Sequence, residues 1–185
     1  TAMPNLVTVG AGGTASTVAG IPFFSADNSI YTHDVSGTDD TAQHNAAYGI
    51  GAMDAITTGD QNSALGYNAL SANNTGAQNT AMGRLSLEAN TSGDNNTAYG
   101  SSTLSANSTA DDNTAIGKGS MQSNTTGAAN TAVGKDSLKA NTTGTRNLAI
   151  GYQAYTASDT ENDNLAIGYQ AMVTNTAGGT ENVAV

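Results

Sequence analysis

From residue 45 onward, large apolar side chains return at two fixed places in a unit seventeen residues long. With the Asn of NTAIG taken as column one, column four holds Tyr48, Leu65, Met82, Tyr99, Ile116, Val133, Ile150 and Ile167. Column nine holds Met53, Leu70, Leu87, Leu104, Met121, Leu138, Tyr155 and Met172. Small residues separate the two sets, with Ala in column three from Ala47 to Ala166 and Gly in column five from Gly49 to Gly168. Columns eight and eleven are mostly Ala, Ser or Thr. Asn marks column one from Asn45 to Asn164 and returns in column twelve at Asn73, Asn90, Asn107, Asn124, Asn141 and Asn175. One step back lies a degenerate copy at Asn28, and the copy after Asn164 begins eighteen residues on, at Asn182, so one residue is inserted near 178–181. Seven intervals without slippage are natural for coils stacked in register, where an insertion must bulge from a turn.

Helices fit this pattern poorly. Each unit carries Gly, Asn at two boundaries and clusters of Thr, and no apolar spacing of three and four persists across it. Two strands of about five residues joined by Asn/Gly turns fit better, one coil per unit. The expected class is therefore all-β, a parallel β-solenoid of 17-residue coils with two short strands each. Successive strand residues point to opposite faces. The reading taken here sends columns four and nine into the coil and leaves an outer stripe of Ala and Gly, small enough for close approach of another subunit. The reversed assignment stays open, with Ala and Gly filling a cramped interior and the large column facing out into a shared core. In both cases one strand is apolar on both faces, so partner chains are needed to bury them. The Asn columns are expected to form ladders from coil to coil.

Nine coils from Asn28 to Thr180, at about 4.8 Å each, make a rod roughly 43 Å long. Residues 28–185 form the shaft, ending in a partial repeat, and residues 1–27 form a cap or connector that covers the first coil's open strand edge.

Composition narrows the function classes. Only 11% of residues are charged, 5% are aromatic, and Trp and Cys are absent, which suits a thin stacked structure and excludes disulfides and thiolate metal sites. A formal charge of −10 repels a phosphate backbone, so nucleic acid is not an expected partner. No apolar run approaches the roughly 20 residues of a membrane span, so this segment is not expected to insert into a membrane. The chain opens on Thr1 without a signal peptide and stops at Val185 partway through a repeat, and is expected to be an excerpt of something longer.

Candidate chemistry is sparse. His33, Asp34, Asp39, Asp40 and His44 are the one cluster able to gather around a cation, but calcium-loop and zinc-helix spacings are missing, and a solvated turn is the better account. No nucleophile sits beside a base elsewhere, so no catalytic, cofactor-binding or metal-binding residue is assigned, and no enzyme activity is expected. Thr80, Thr97, Thr114 and Thr131 form a column-two ladder that becomes Leu148, Leu165 and Val183; a buried or half-buried Thr stack explains it better than an ice-binding face. Asn73, Asn90, Asn95, Asn107, Asn124 and Asn141 begin Asn-x-Ser/Thr triplets, which turn chemistry also produces unaided. The variable columns six, seven, ten, sixteen and seventeen show no concentrated aromatic or charged patch.

NTAIG, NTAMG and NLAIGYQA, separated by turns of the NTTG kind, resemble the repeats of trimeric autotransporter adhesin (YadA-like) heads and of related phage tail-fibre shafts. The resemblance covers residues 45–185 well, 28–44 weakly and 1–27 not at all; the longer unit is closer to the phage-type variant. It implies a left-handed parallel β-roll and a homotrimer around a threefold axis. The function it implies is that of an extracellular structural fibre on a virion or cell surface, supporting attachment to a host surface receptor. The alternative is a self-assembling extracellular filament subunit joined end to end.

Overall fold

A computed structural model describes the backbone strands within residues 16–31 and, with side chains, residues 41–157, 159–173 and 179–185. All regular structure among them is β. Three strands come first: β1 (Ser16–Val18), β2 (Ile21–Ala26) and β3 (Ser29–Tyr31). Nine more follow at coil spacing: β4 (Ala46–Tyr48), β5 (Ser63–Leu65), β6 (Thr80–Met82), β7 (Thr97–Tyr99), β8 (Thr114–Ile116), β9 (Thr131–Val133), β10 (Leu148–Ile150), β11 (Leu165–Ile167) and β12 (Val183–Ala184). The twelve make one sheet in chain order. β1, β2 and β3 pair antiparallel, and from β3 to β12 every pairing is parallel. This is a parallel β-solenoid.

From β4 to β11 like columns pair with like: Ala98 lies against Ala115, and Tyr99 against Ile116. The eighteen-residue interval is absorbed outside the strand, because Leu165 still pairs with Val183. The degenerate first copy differs. Ile30 pairs with Ala46 and Tyr31 with Ala47, an offset of sixteen residues, so the seventeen-residue pitch begins at Asn45 and not at Asn28. The described part of 1–27 is the antiparallel pairing of β1 and β2, which joins the first coil through β3. Residues 1–15, 19, 20 and 27 lie outside the described residues.

The coil has one regular strand, not two. Beyond Gly in column five the chain enters turns, with left-handed backbone at columns seven and nine, as at Ser102 (φ 55°) and Leu104 (φ 50°). Left-handed φ is uncommon for large side chains and rules out a continuous strand. The turn half nevertheless bonds from coil to coil: Leu87 N donates to Thr103 O (3.0 Å) and Ala89 N to Ser105 O (3.1 Å). Neighbouring coils hold this conformation in place.

Packing reverses part of the sequence reading. Column-three Ala and column-nine Leu, Met and Tyr form the buried core together, with Ala115, Leu104 and Met121 at 0% exposure. Column four points outward, at 53% exposure for Tyr48 and 38% for Ile150. The reversed assignment is therefore right for columns three and four, while column nine lies inside as expected. A cross-section this narrow leaves the strand facing column nine room for no more than a methyl group. Among the described residues, only the first coil buries a second large apolar side chain, Ile56, in the place that the coils from Asn73 to Asn141 give to column-twelve Asn. Column five is not an outer contact stripe either. Gly117 has φ 126°, and a Cβ there would lie 2.5 Å from Gly134 O, so its lack of a side chain serves the stacking of this chain's own backbone.

Asn ladders close both ends of the interior. In column one, Asn113 N donates to Asn96 Oδ1 (3.1 Å), Asn130 N donates to Asn113 Oδ1 (3.0 Å), and Asn113 Nδ2 donates to Gly127 O (2.9 Å). In column twelve, Asn124 Nδ2 donates both to Asn107 Oδ1 (3.0 Å) and to Gly127 O (2.9 Å). These amides are fully buried, so their bonds offset a desolvation cost of about 1–3 kcal/mol per polar group.

Candidate functional site

With column three turned in, the strand's outer face carries columns two, four and six. Column two is half-buried from Thr80 to Thr131, as expected for a Thr stack, and continues in Leu148 and Leu165. Column four runs beside it as an unbroken apolar row. Column six adds a third row that the sequence reading passed over: Ile50, Tyr67, Arg84, Ser101, Lys118, Lys135, Tyr152 and Tyr169. All but Ser101 are exposed. The available signal was the residue after each column-five Gly, which is aromatic or basic in six of eight coils; scanned as single letters it looks variable, and stacked at one coil spacing it becomes a surface.

The row is organised by stacking. Tyr152 and Tyr169 lie face to face, with centroids 5.6 Å apart and planes 9° from parallel. Lys135 Nζ sits 5.0 Å from the Tyr152 ring centroid, and the Arg84 guanidinium 5.9 Å from that of Tyr67. These are cation–π distances. Exposed aromatics supported by cations and flanked by Ile and Leu form a surface with large contact area and few charges to desolvate.

Acidic charge sits off this face. Asp136 receives Lys135 (3.1 Å) and Lys139 (3.2 Å). Partial burial pushes its carboxyl up, but hydrogen bonds and charge from the two lysines outweigh that and hold it below the ordinary Asp range. Arg146 grips Asp163 in the next coil with two bonds, Nε to Oδ1 (2.6 Å) and Nη2 to Oδ2 (2.7 Å). That hydrogen bonding is the main cause of the lowered Asp163 pKa.

The remaining candidates separate. His33, Asp34, Asp39 and Asp40 lie outside the described residues, and His44 is exposed at a left-handed turn (φ 60°). Among the described residues no three His, Cys, Asp or Glu side chains gather as metal ligands. Asn73, Asn90, Asn107, Asn124 and Asn141 are fully buried, and ladder bonds engage their Nδ2 atoms, so folding withholds these triplets from glycan transfer; Asn95 is exposed. Among the described residues no helix is long and apolar enough to cross a membrane. Comparison of the chain with family models, curated proteins and solved structures returns no match, so the functional reading rests on the geometry of this face and the repeat it belongs to.

Proposed function

We propose that the chain is a structural shaft, and that its copies pack side by side through the column-two, column-four and column-six face. The observation that carries the reading is the outer apolar row, unbroken from Tyr48 to Ile167 and edged by stacked Tyr152 and Tyr169. A continuous strip eight coils long, roughly 34 Å at about 4.8 Å per coil, is more than a soluble monomer ordinarily leaves to water. The resemblance to adhesin heads and tail-fibre shafts gives the rest of the proposal: left-handed rolls, three to a particle, projecting from a virion or cell surface and supporting attachment to a host surface receptor.

The acidic balance, with fifteen acidic against five basic residues, fits an extracellular rod that stays soluble and does not grip nucleic acid. No catalytic role is assigned; the solenoid supplies length, stiffness and regular spacing. Multi-angle light scattering of the purified chain tests the reading. Three chains per particle are expected. A monomer stable at tens of micromolar contradicts it, and growth without limit favours the end-to-end filament instead.

A further inference from the structure

Two exposed columns flank the apolar strip, column six on one side and column seventeen on the other. Column six carries Arg84, Lys118 and Lys135, three of the chain's five basic residues, and no acid. Column seventeen carries Asp112, Asp163 and Glu181, with Arg146 as its single cation. Arg146 is committed to Asp163, and Lys135 to Asp136. Among the described residues Lys118 and Asp112 enter none of the intrachain ion pairs, and both are exposed.

Geometry allows two ways of setting one such face against another. With solenoid axes parallel, column six of one copy meets column seventeen of the next at the same coil. With one copy turned end over end, column six meets column six and column seventeen meets column seventeen. With the eight coils aligned, the second arrangement sets Arg84 against Lys135 and leaves Lys118 facing Ser101 and Asp112 facing Asn95, and like charges facing each other across an interface cost several kcal/mol. The first sets Lys118 against Asp112, Tyr152 against Arg146, and Tyr169 against Asp163. No same-coil pair from Ile50 facing His44 to Tyr169 facing Asp163 then places like charge on like. Set squarely face to face, this contact is isologous about a twofold along the axes. With the faces tilted toward a shared axis, the column-six edge of each copy meets the column-seventeen edge of the next, a heterologous contact that closes into a ring when the rotation completes a turn.

We infer that the partner on this face is a second copy of the same chain, held parallel and in coil register, with Lys118 of one copy against Asp112 of the next. The inference rests on the side-by-side packing proposed above and adds its polarity, its register and its one unshared ion pair. Such a pair also discriminates against slippage by one coil, which would bring Lys118 to Asn95 or Ala129.

The absence of Cys gives a clean test. Asp112→Cys/Lys118→Cys places two thiols on each copy, separated within a chain by six residues of largely extended backbone, about 20 Å, too far for an internal disulfide. Light scattering on the unsubstituted chain first establishes whether a multi-chain particle forms. Oxidation of the double variant is expected to give covalent products of two and three chains that a reductant dissolves, with little product from either single variant. A multi-chain particle with no crosslinking in the double variant, or with Lys118→Cys alone crosslinking as well as the pair, overturns the parallel register and leaves side-by-side packing standing. A monomer in the first measurement overturns both. Charge exchange supplies a second readout in case oxidation disturbs the fold. At low salt, Lys118→Glu is expected to weaken association about tenfold or more, and adding Asp112→Lys to recover most of it. Equal weakening in the double variant counts against the pair.

Discussion

Column three and column four are adjacent in every coil, yet one is a methyl group sealed inside and the other a large side chain left in the open. Ala115 has no exposure and Ile116 has 43%. In a globular sheet the larger residue takes the interior, because burial stabilises in proportion to apolar area. Here the interior is filled from across the coil by column nine, so the strand can offer it only Ala. What each face can accept is set by the opposite wall. The outer face, free of that constraint, varies among Tyr, Leu, Met, Ile and Val in column four and among Tyr, Arg, Lys, Ile and Ser in column six, while column three stays Ala.

Substitutions sharpen this contrast. The largest effect is expected inside. Leu104→Ala removes the single large apolar side chain buried in its coil and should cost about 2–5 kcal/mol in denaturant unfolding. Asn113→Ala strips acceptor and donor from a buried ladder, leaving Asn130 N and Gly127 O without that partner, and should cost about 2–3 kcal/mol on the same measurement. Gly117→Ala forces a Cβ toward Gly134 O at a left-handed φ, and should lower the melting temperature although it adds only one methyl group. Outside, Ile116→Ser should leave the far-ultraviolet circular dichroism spectrum unchanged and shift particle mass toward the monomer. Smallest of all is Arg146→Ala, since its bond to Asp163 is exposed. The Asp163 pKa is lowered, so any stabilisation from that pair is present above the ordinary Asp range and is lost as pH falls through the lowered value. A melt at neutral pH should barely separate the variant from the parent, and a melt in acid should not separate them at all.

Much of this was legible in the letters. Regular Asn columns gave the coil length, the ladders and the parallel stacking, because a chain that repeats every seventeen residues in register leaves like side chains above like. Orientation was not legible. Alternation along a strand says that columns three and four face opposite ways and nothing about which way is in, and that depends on column nine lying in the turn half of the coil. Residues such as Leu104 and Met121 hold left-handed backbone there, which no propensity of Leu or Met signals, so a second strand was expected where turns occur. The slip at Tyr31 was hidden for a related reason: Asn28 keeps the spacing of the column while the strand it precedes pairs one residue out of step. Column six was missed because its meaning lies between coils, in stacked rings such as Tyr152 and Tyr169, and not within any one of them.

Thiol reactivity at two adjacent positions tests the account most directly. Ala115→Cys and Ile116→Cys each add one thiol to a chain that has none. The account predicts that the thiol at 115 resists maleimide in the folded chain at every concentration. The thiol at 116 should react readily in dilute solution and more slowly as concentration drives copies together. Reaction at 115 in the folded chain, or a rate at 116 that does not depend on concentration, would contradict it.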